Sequence, residues 1–174
     1  MSAREIDFKT VEDVFKYAIL VESRGYEFYR ATATRTVNET ARKFFEEFAE
    51  EELDHKRMLA DLYKTWRDET KWDESILQSG REHTFDIHDP ILSEAFKKSL
   101  ATSTFDTTAL DIAIVLEREA RDFYTKAAQK VEDPELRKIL TWLAQWEDDH
   151  YDTMVKLHEA MREEVWHDNQ FWPF

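Results

Sequence analysis

Glu52-Leu53-Asp54-His55 and Glu147-Asp148-Asp149-His150 both read Glu-x-x-His. Residues three apart in a helix lie about one turn from each other on the same face. The carboxylate and imidazole of each pair can therefore reach one ion, or the carboxylate can span two. A single Glu-x-x-His is a weak signal, because both residue types are common on exposed helix faces. Here each pair interrupts a stripe that is otherwise apolar: Ala41, Phe45, Phe48, Leu59, Leu62 and Trp66 around the first, Leu136, Leu140, Leu143, Met154, Leu157 and Met161 around the second. An ionised carboxylate in such a stripe is costly unless it is paired or metal-bound.

Two further stripes carry a Glu at their centre, Glu22 among Val11, Phe15, Ala18, Gly25 or Tyr26, Tyr29 and Ala33, and Glu117 among Leu110, Ala113, Ala120, Tyr124 and Ala128. Glu22 and Glu117, Glu52 and Glu147, and His55 and His150 are each 95 residues apart. The same offset pairs Ala18-Ile19 with Ala113-Ile114, Phe28-Tyr29 with Phe123-Tyr124, and Arg42-Lys43 with Arg137-Lys138. The chain thus repeats a helical hairpin, and a pseudo-twofold bundle is the natural assembly of two copies. Measured from the turns, the ligand positions on paired helices differ by about two residues, roughly 3 Å of helix rise, so all six groups meet at one level. Four carboxylates and two divalent cations balance in charge, whereas the empty cluster would have to take up protons or water.

The elements that position these groups are four helices. Only two Gly and three Pro are present, and Glu, Ala, Leu, Lys and Arg dominate, which favours long helices. The first hairpin covers 10–67, with a Thr10…Asp13 capping box and Asn38 as N-cap of its second helix. The second covers 106–165, its third helix starting after Asp106 and its fourth opening at Asp133-Pro134. Between them, residues 70–105 are too many for a structureless loop, and a crossover along the bundle accounts for them, with a short helix over 91–100. The expected fold is one all-α domain, a four-helix bundle of two repeated hairpins. An apolar tail over 166–174, with Phe171, Trp172 and Phe174, is expected to pack on the bundle or on a second copy in a homodimer.

Composition excludes several functions. There is no Cys, so disulfides, thiolate metal sites, iron–sulfur clusters and Cys nucleophiles are out. A formal charge of −14 argues against nucleic acid and anionic membrane as partners. No stretch approaches the roughly 18 apolar residues of a membrane span. The opening MSAREIDFKT lacks a signal peptide's apolar run, which makes the cytoplasm the expected location.

Ala18-Ile19-Leu20-Val21-Glu22 with Phe28-Tyr29, Glu52-x-x-His55, Ala113 to Glu117 with Phe123-Tyr124, and Glu147-x-x-His150 resemble the ferritin-like superfamily, and within it the rubrerythrin-like proteins. That resemblance implies a crossover four-helix bundle, a carboxylate-bridged centre of two iron ions, and redox chemistry with oxygen or hydrogen peroxide. The implied metal ligands are Glu22, Glu52, His55, Glu117, Glu147 and His150, a set that manganese or another divalent ion could also occupy. Two departures stand out: the chain carries no Cys-ligated rubredoxin iron, and Ala120 occupies the position, three after Glu117, where rubrerythrins tend to have an extra Glu. Without a second redox centre, electrons would come from a separate donor protein. A ferroxidase or iron-handling role and a non-catalytic metal-binding bundle are the alternatives.

Around the ligands, Tyr29 and Tyr124 lie two turns beyond Glu22 and Glu117 on the same faces and are expected to hydrogen-bond ligand carboxylates. Asp54 and Asp149, each preceding a ligand His, are candidates for orienting an imidazole. Glu51, about 100° around the helix from Glu52, is expected to be exposed. His83 and His88 in the crossover read as solvated loop histidines.

Overall fold

The computed structural model describes residues 10–72 and 104–168, with side chains described to residue 163. Helix α1 spans Val11–Arg35, α2 Glu39–Glu69, α3 Thr104–Lys130 and α4 Pro134–Asp168. The described residues form an all-α four-helix bundle of the ferritin-like type. The expected crossover, His83 and His88, and most of the apolar tail lie outside the described residues.

The helix starts follow from their caps. Thr10 Oγ1 accepts from the Asp13 amide at 3.1 Å while Asp13 Oδ2 accepts from the Thr10 amide at 3.1 Å, a reciprocal arrangement that satisfies two otherwise orphaned donors. Asn38 Oδ1 accepts from the Ala41 amide at 2.9 Å. Asp133 Oδ1 takes the amides of Glu135 and Leu136, both at 2.9 Å, and Pro134 stands where a missing N–H costs nothing. The turns between α1 and α2 and between α3 and α4 are three residues each, 36–38 and 131–133, so both hairpins have the same register.

Helix α3 differs from expectation at its start. It begins at Thr104, so Asp106 sits within its first turn. Asp106 is buried and accepts from Thr36 Oγ1 at 3.1 Å. Its carboxylate is used to join the end of α1 to the start of α3. At the opposite end of the bundle the Trp72 indole N–H donates to Asp133 Oδ2 at 3.0 Å, joining the end of α2 to the start of α4.

The core is divided in two. One apolar cluster contains Phe44, Phe45, Phe48, Leu110, Ala113, Met154 and Leu157, with residues from all four helices. The other contains Phe15, Ala18, Leu59, Leu62, Leu136, Ile139 and Leu140, again from all four. The polar mid-stripe residues lie between these clusters in sequence on every helix, so a polar layer separates two apolar plugs. Leu62 is fully buried whereas Leu20 is 53% exposed. In urea unfolding of the metal-free protein, Leu62→Ala should therefore lose about 2–5 kcal/mol. Leu20→Ala should change stability by no more than about 0.5 kcal/mol. Equal losses would mean that the buried faces are assigned wrongly.

Candidate metal centre

The structure brings all six sequence-derived residues into the buried polar layer. Glu22, Glu52, His55, Glu117, Glu147 and His150 are each at most 3% exposed. His55 Nδ1 lies 3.2 Å from Glu22 Oε2 and 3.6 Å from Glu147 Oε1. His150 Nδ1 lies 3.5 Å from Glu117 Oε2 and 3.9 Å from Glu52 Oε1. The 95-residue offset maps the first pair of contacts onto the second. Each imidazole thus turns Nδ1 inward, toward the lone Glu of its own hairpin and the Glu-x-x-His carboxylate of the other hairpin.

Atoms positioned to hold ions are left without hydrogen bonds. Among the described residues Glu117 Oε2, both carboxylate oxygens of Glu147, and His150 Nδ1 are buried with no hydrogen-bond partner. A buried acceptor without a partner costs about 1–3 kcal/mol, more when charged, and a cation removes that cost at several atoms together. Two groupings have ligand atoms within 4.8 Å of one another: Glu52, Glu117, Glu147 and His150, and Glu22, Glu52 and His55. Glu52 belongs to both and can bridge two ions. Oxygen and imidazole donors suit iron, manganese, cobalt or zinc.

The two tyrosines act across the repeat. The Tyr29 hydroxyl donates to Glu117 and the Tyr124 hydroxyl donates to Glu22. Both rings are fully buried. Burial, then the surrounding carboxylates, pushes both phenols well above their ordinary range, so they remain O–H donors and fix one oxygen of each lone Glu. Asp54 and Asp149 do not have the expected role. Asp54 accepts from Arg57 at 3.0 Å on the outer face, and Asp149, exposed, accepts from Gln145 at 3.3 Å. Both carboxylates thus face outward, away from the buried imidazoles.

Glu51 takes that place, contrary to its expected exposure. It is 7% exposed, and its Oε2 lies 2.7 Å from His150 Nε2. The sequence did carry a trace of this: Phe44, Glu51 and Met58 recur every seven residues, all are buried, and they widen the α2 face beyond the single stripe. Gly25, expected only as part of the α1 stripe, has a further role. A Cβ there would lie 2.8 Å from both Cδ and Oε2 of Glu52, so the absent side chain makes room for that carboxylate. Gly25 and its repeat mate Ala120 line a cleft of about 30 Å³ between α1 and α3, with Glu52, Glu117 and Glu147 inside and Arg24 and Glu119 at the rim.

A family model described as Rubrerythrin matches residues 13–158. The chain belongs to the rubrerythrin family. No curated protein and no solved structure matches it. The family typically binds two iron ions, and the buried Glu and His groups fit metal binding. No helix among the described residues is long and apolar enough to cross a membrane.

Charge in the metal-free layer is unequally shared. Burial, then repulsion from Glu22 and other carboxylates, raises Glu52 and Glu147 well above the ordinary 4.5. Burial also pushes Glu117 up, but His150 and the Tyr29 hydroxyl pull harder and hold it below 4.5. For His150 burial favours the neutral ring, yet Glu117 and Glu51 raise it well above 6.5. Groups with raised folded values stabilise the fold when protonated and lose that contribution as pH rises through those values. For Glu52, Glu147 and His150 the loss runs upward from the unfolded values of 4.5 and 6.5. Glu117 opposes only when pH falls below 4.5.

The melting temperature of chelator-treated protein should therefore fall as pH rises above about 4.5. Because ligands bind ions in their deprotonated forms, the gap between metal-loaded and metal-free melting temperatures should widen over the same range. A gap that shrinks with pH would contradict this charge distribution.

Gly25→Ala separates packing from binding. The clash falls on the far end of a flexible side chain, so Glu52 can swing aside, while Ala in a helix interior is favoured over Gly by about 0.5–1 kcal/mol. Metal-free stability should hold or rise, and affinity measured by metal titration should drop. Unchanged affinity would mean that Glu52 needs no such cradle.

Proposed function

We propose that this protein is an oxidoreductase with a centre of two iron ions that reduces hydrogen peroxide or oxygen, taking electrons from a separate donor protein. The observation that carries the reading is the buried cluster of inward-facing, unbonded carboxylate and imidazole atoms behind a cleft that opens between two small residues. Glu22 with His55 and Glu117 with His150 would hold one ion each, and Glu52 and Glu147 would lie between them. A bound iron pair supplies two electrons, which with two protons convert one peroxide to two waters.

The chain's own residues set the conditions for that chemistry. Tyr29 and Tyr124 hold Glu117 and Glu22 in place from opposite hairpins. The apolar plugs on either side keep bulk water out of the layer. The cleft, about 30 Å³, exceeds the roughly 10–15 Å³ that one water needs and suits a molecule the size of peroxide or oxygen. Ala120, in place of an extra carboxylate, adds a small apolar side chain to the cleft lining. The acidic chain without a membrane-spanning helix among the described residues suits a cytoplasmic protein.

Anaerobic loading with iron(II), followed by peroxide or oxygen and a chemical reductant, tests the reading. Wild type should bind two ions per chain and turn over. Glu52→Ala and Glu147→Ala should each lose at least one ion and turnover, whereas Glu50→Ala, on the exposed face, should not. Uptake of many more than two ions per chain would make iron itself the substrate. Two bound ions that react with neither oxidant would leave a metal-stabilised bundle without redox activity.

A further inference from the structure

The repeat that places the six residues breaks at a neighbouring position that faces an imidazole. Glu51 and Trp146 are 95 residues apart, each immediately before the Glu of its Glu-x-x-His, yet one is a carboxylate and the other an indole. Their surroundings differ accordingly. His150 turns Nδ1 inward, and its Nε2 lies 2.7 Å from Glu51 Oε2. His55 also turns Nδ1 inward, but its Nε2 has no hydrogen-bond partner among the described residues, and the Trp146 ring packs edge-on against it at 4.6 Å.

From this we infer that the two metal positions are unequal: the ion at His150 is bound more tightly than the ion at His55, and Glu51 is the positioning residue that makes it so. The inference rests on the two-ion reading above. A carboxylate accepting from the outer N–H of a ligand imidazole fixes the tautomer, leaves the inner nitrogen free for the ion, and raises its basicity; removing such a partner typically lowers affinity about 10–100-fold. Glu51 also adds a nearby negative charge, which an indole does not. The donor counts agree, since the grouping that contains His150 has four residues and the one that contains His55 has three.

One contact competes. The Trp146 N–H lies 3.1 Å from the same His150 Nε2, but that nitrogen cannot give a proton to Glu51 and accept one from Trp146. An ion at Nδ1 requires the proton to be on Nε2, which selects Glu51, and the shorter charge-assisted bond favours the same choice. Trp146 therefore does nothing to hold His150 in its ligating form, and it offers no acceptor to His55.

Cobalt(II) titration of the metal-free full chain, followed by calorimetry and visible absorption, tests the inference. Wild type should bind two ions in two resolved steps. His150→Ala should abolish the tighter step and His55→Ala the weaker one. Glu51→Ala should weaken the tighter step about 10–100-fold and change the weaker step less than about threefold. Glu51→Gln, which keeps the volume and an acceptor oxygen, should restore part of the loss and keeps the test usable if the Ala variant misfolds. Trp146→Glu, which gives His55 the acceptor it lacks, should strengthen the weaker step. Two ions bound with equal affinity, or equal loss at both steps in Glu51→Ala and Glu51→Gln, would overturn the inequality while leaving the two-ion reading intact. Failure to bind two ions would overturn that reading instead.

Discussion

Four carboxylates and two imidazoles confined to one buried layer set the terms for the rest of this bundle. Bringing one unpaired carboxylate out of water costs several kcal/mol even after relaxation, and here four face one another. The apolar clusters on either side lower the local dielectric, which makes the repulsion severe. The phenols of Tyr29 and Tyr124 satisfy one oxygen each on Glu117 and Glu22. His55 reaches the other oxygen of Glu22 and Glu51 the outer nitrogen of His150, yet atoms of Glu117, Glu147 and His150 are left without partners. A cluster with these properties makes sense as a cation site, because cations relieve at once the repulsion and the missing bonds.

The pseudo-twofold arrangement explains how such a layer can be built from ordinary helices. Each hairpin brings one Glu and one Glu-x-x-His to the same height because its turn has three residues and its caps fix where each helix begins. The two tyrosine bonds then run between hairpins rather than within them, so each repeat holds the other's lone carboxylate. Apolar packing alone would tolerate a small slide of one hairpin along the other. The crossed phenol bonds, together with Thr36 on Asp106 and Trp72 on Asp133, oppose it.

Departures from symmetry are where this chain becomes particular. Gly25 and Ala120 are both small, and at Gly25 the missing side chain leaves room for the Glu52 carboxylate. Glu51 and Trp146 occupy equivalent positions with opposite polarity. A repeat suffices to bring the six residues into one layer, and the two halves of that layer differ at its edges.

Much of this was legible in the residues alone. A polar residue in the middle of an apolar helical stripe is conspicuous, its recurrence at one offset more so, and the height of the layer follows from residue counts to each turn because helix rise is constant. Sequence therefore determined the fold class, the hairpin repeat and the six residues that meet. It did not determine which neighbours of those residues face the layer. Asp54 and Asp149 were expected to orient the imidazoles, yet both face outward, toward Arg57 and Gln145. Glu51 was expected in water, yet α2 buries a face wide enough to include it. The width of a buried face depends on how many other helices a helix touches, and the partner of an imidazole's outer nitrogen depends on which residue a different helix presents there. Those are properties of packing, and only the tertiary structure decided them.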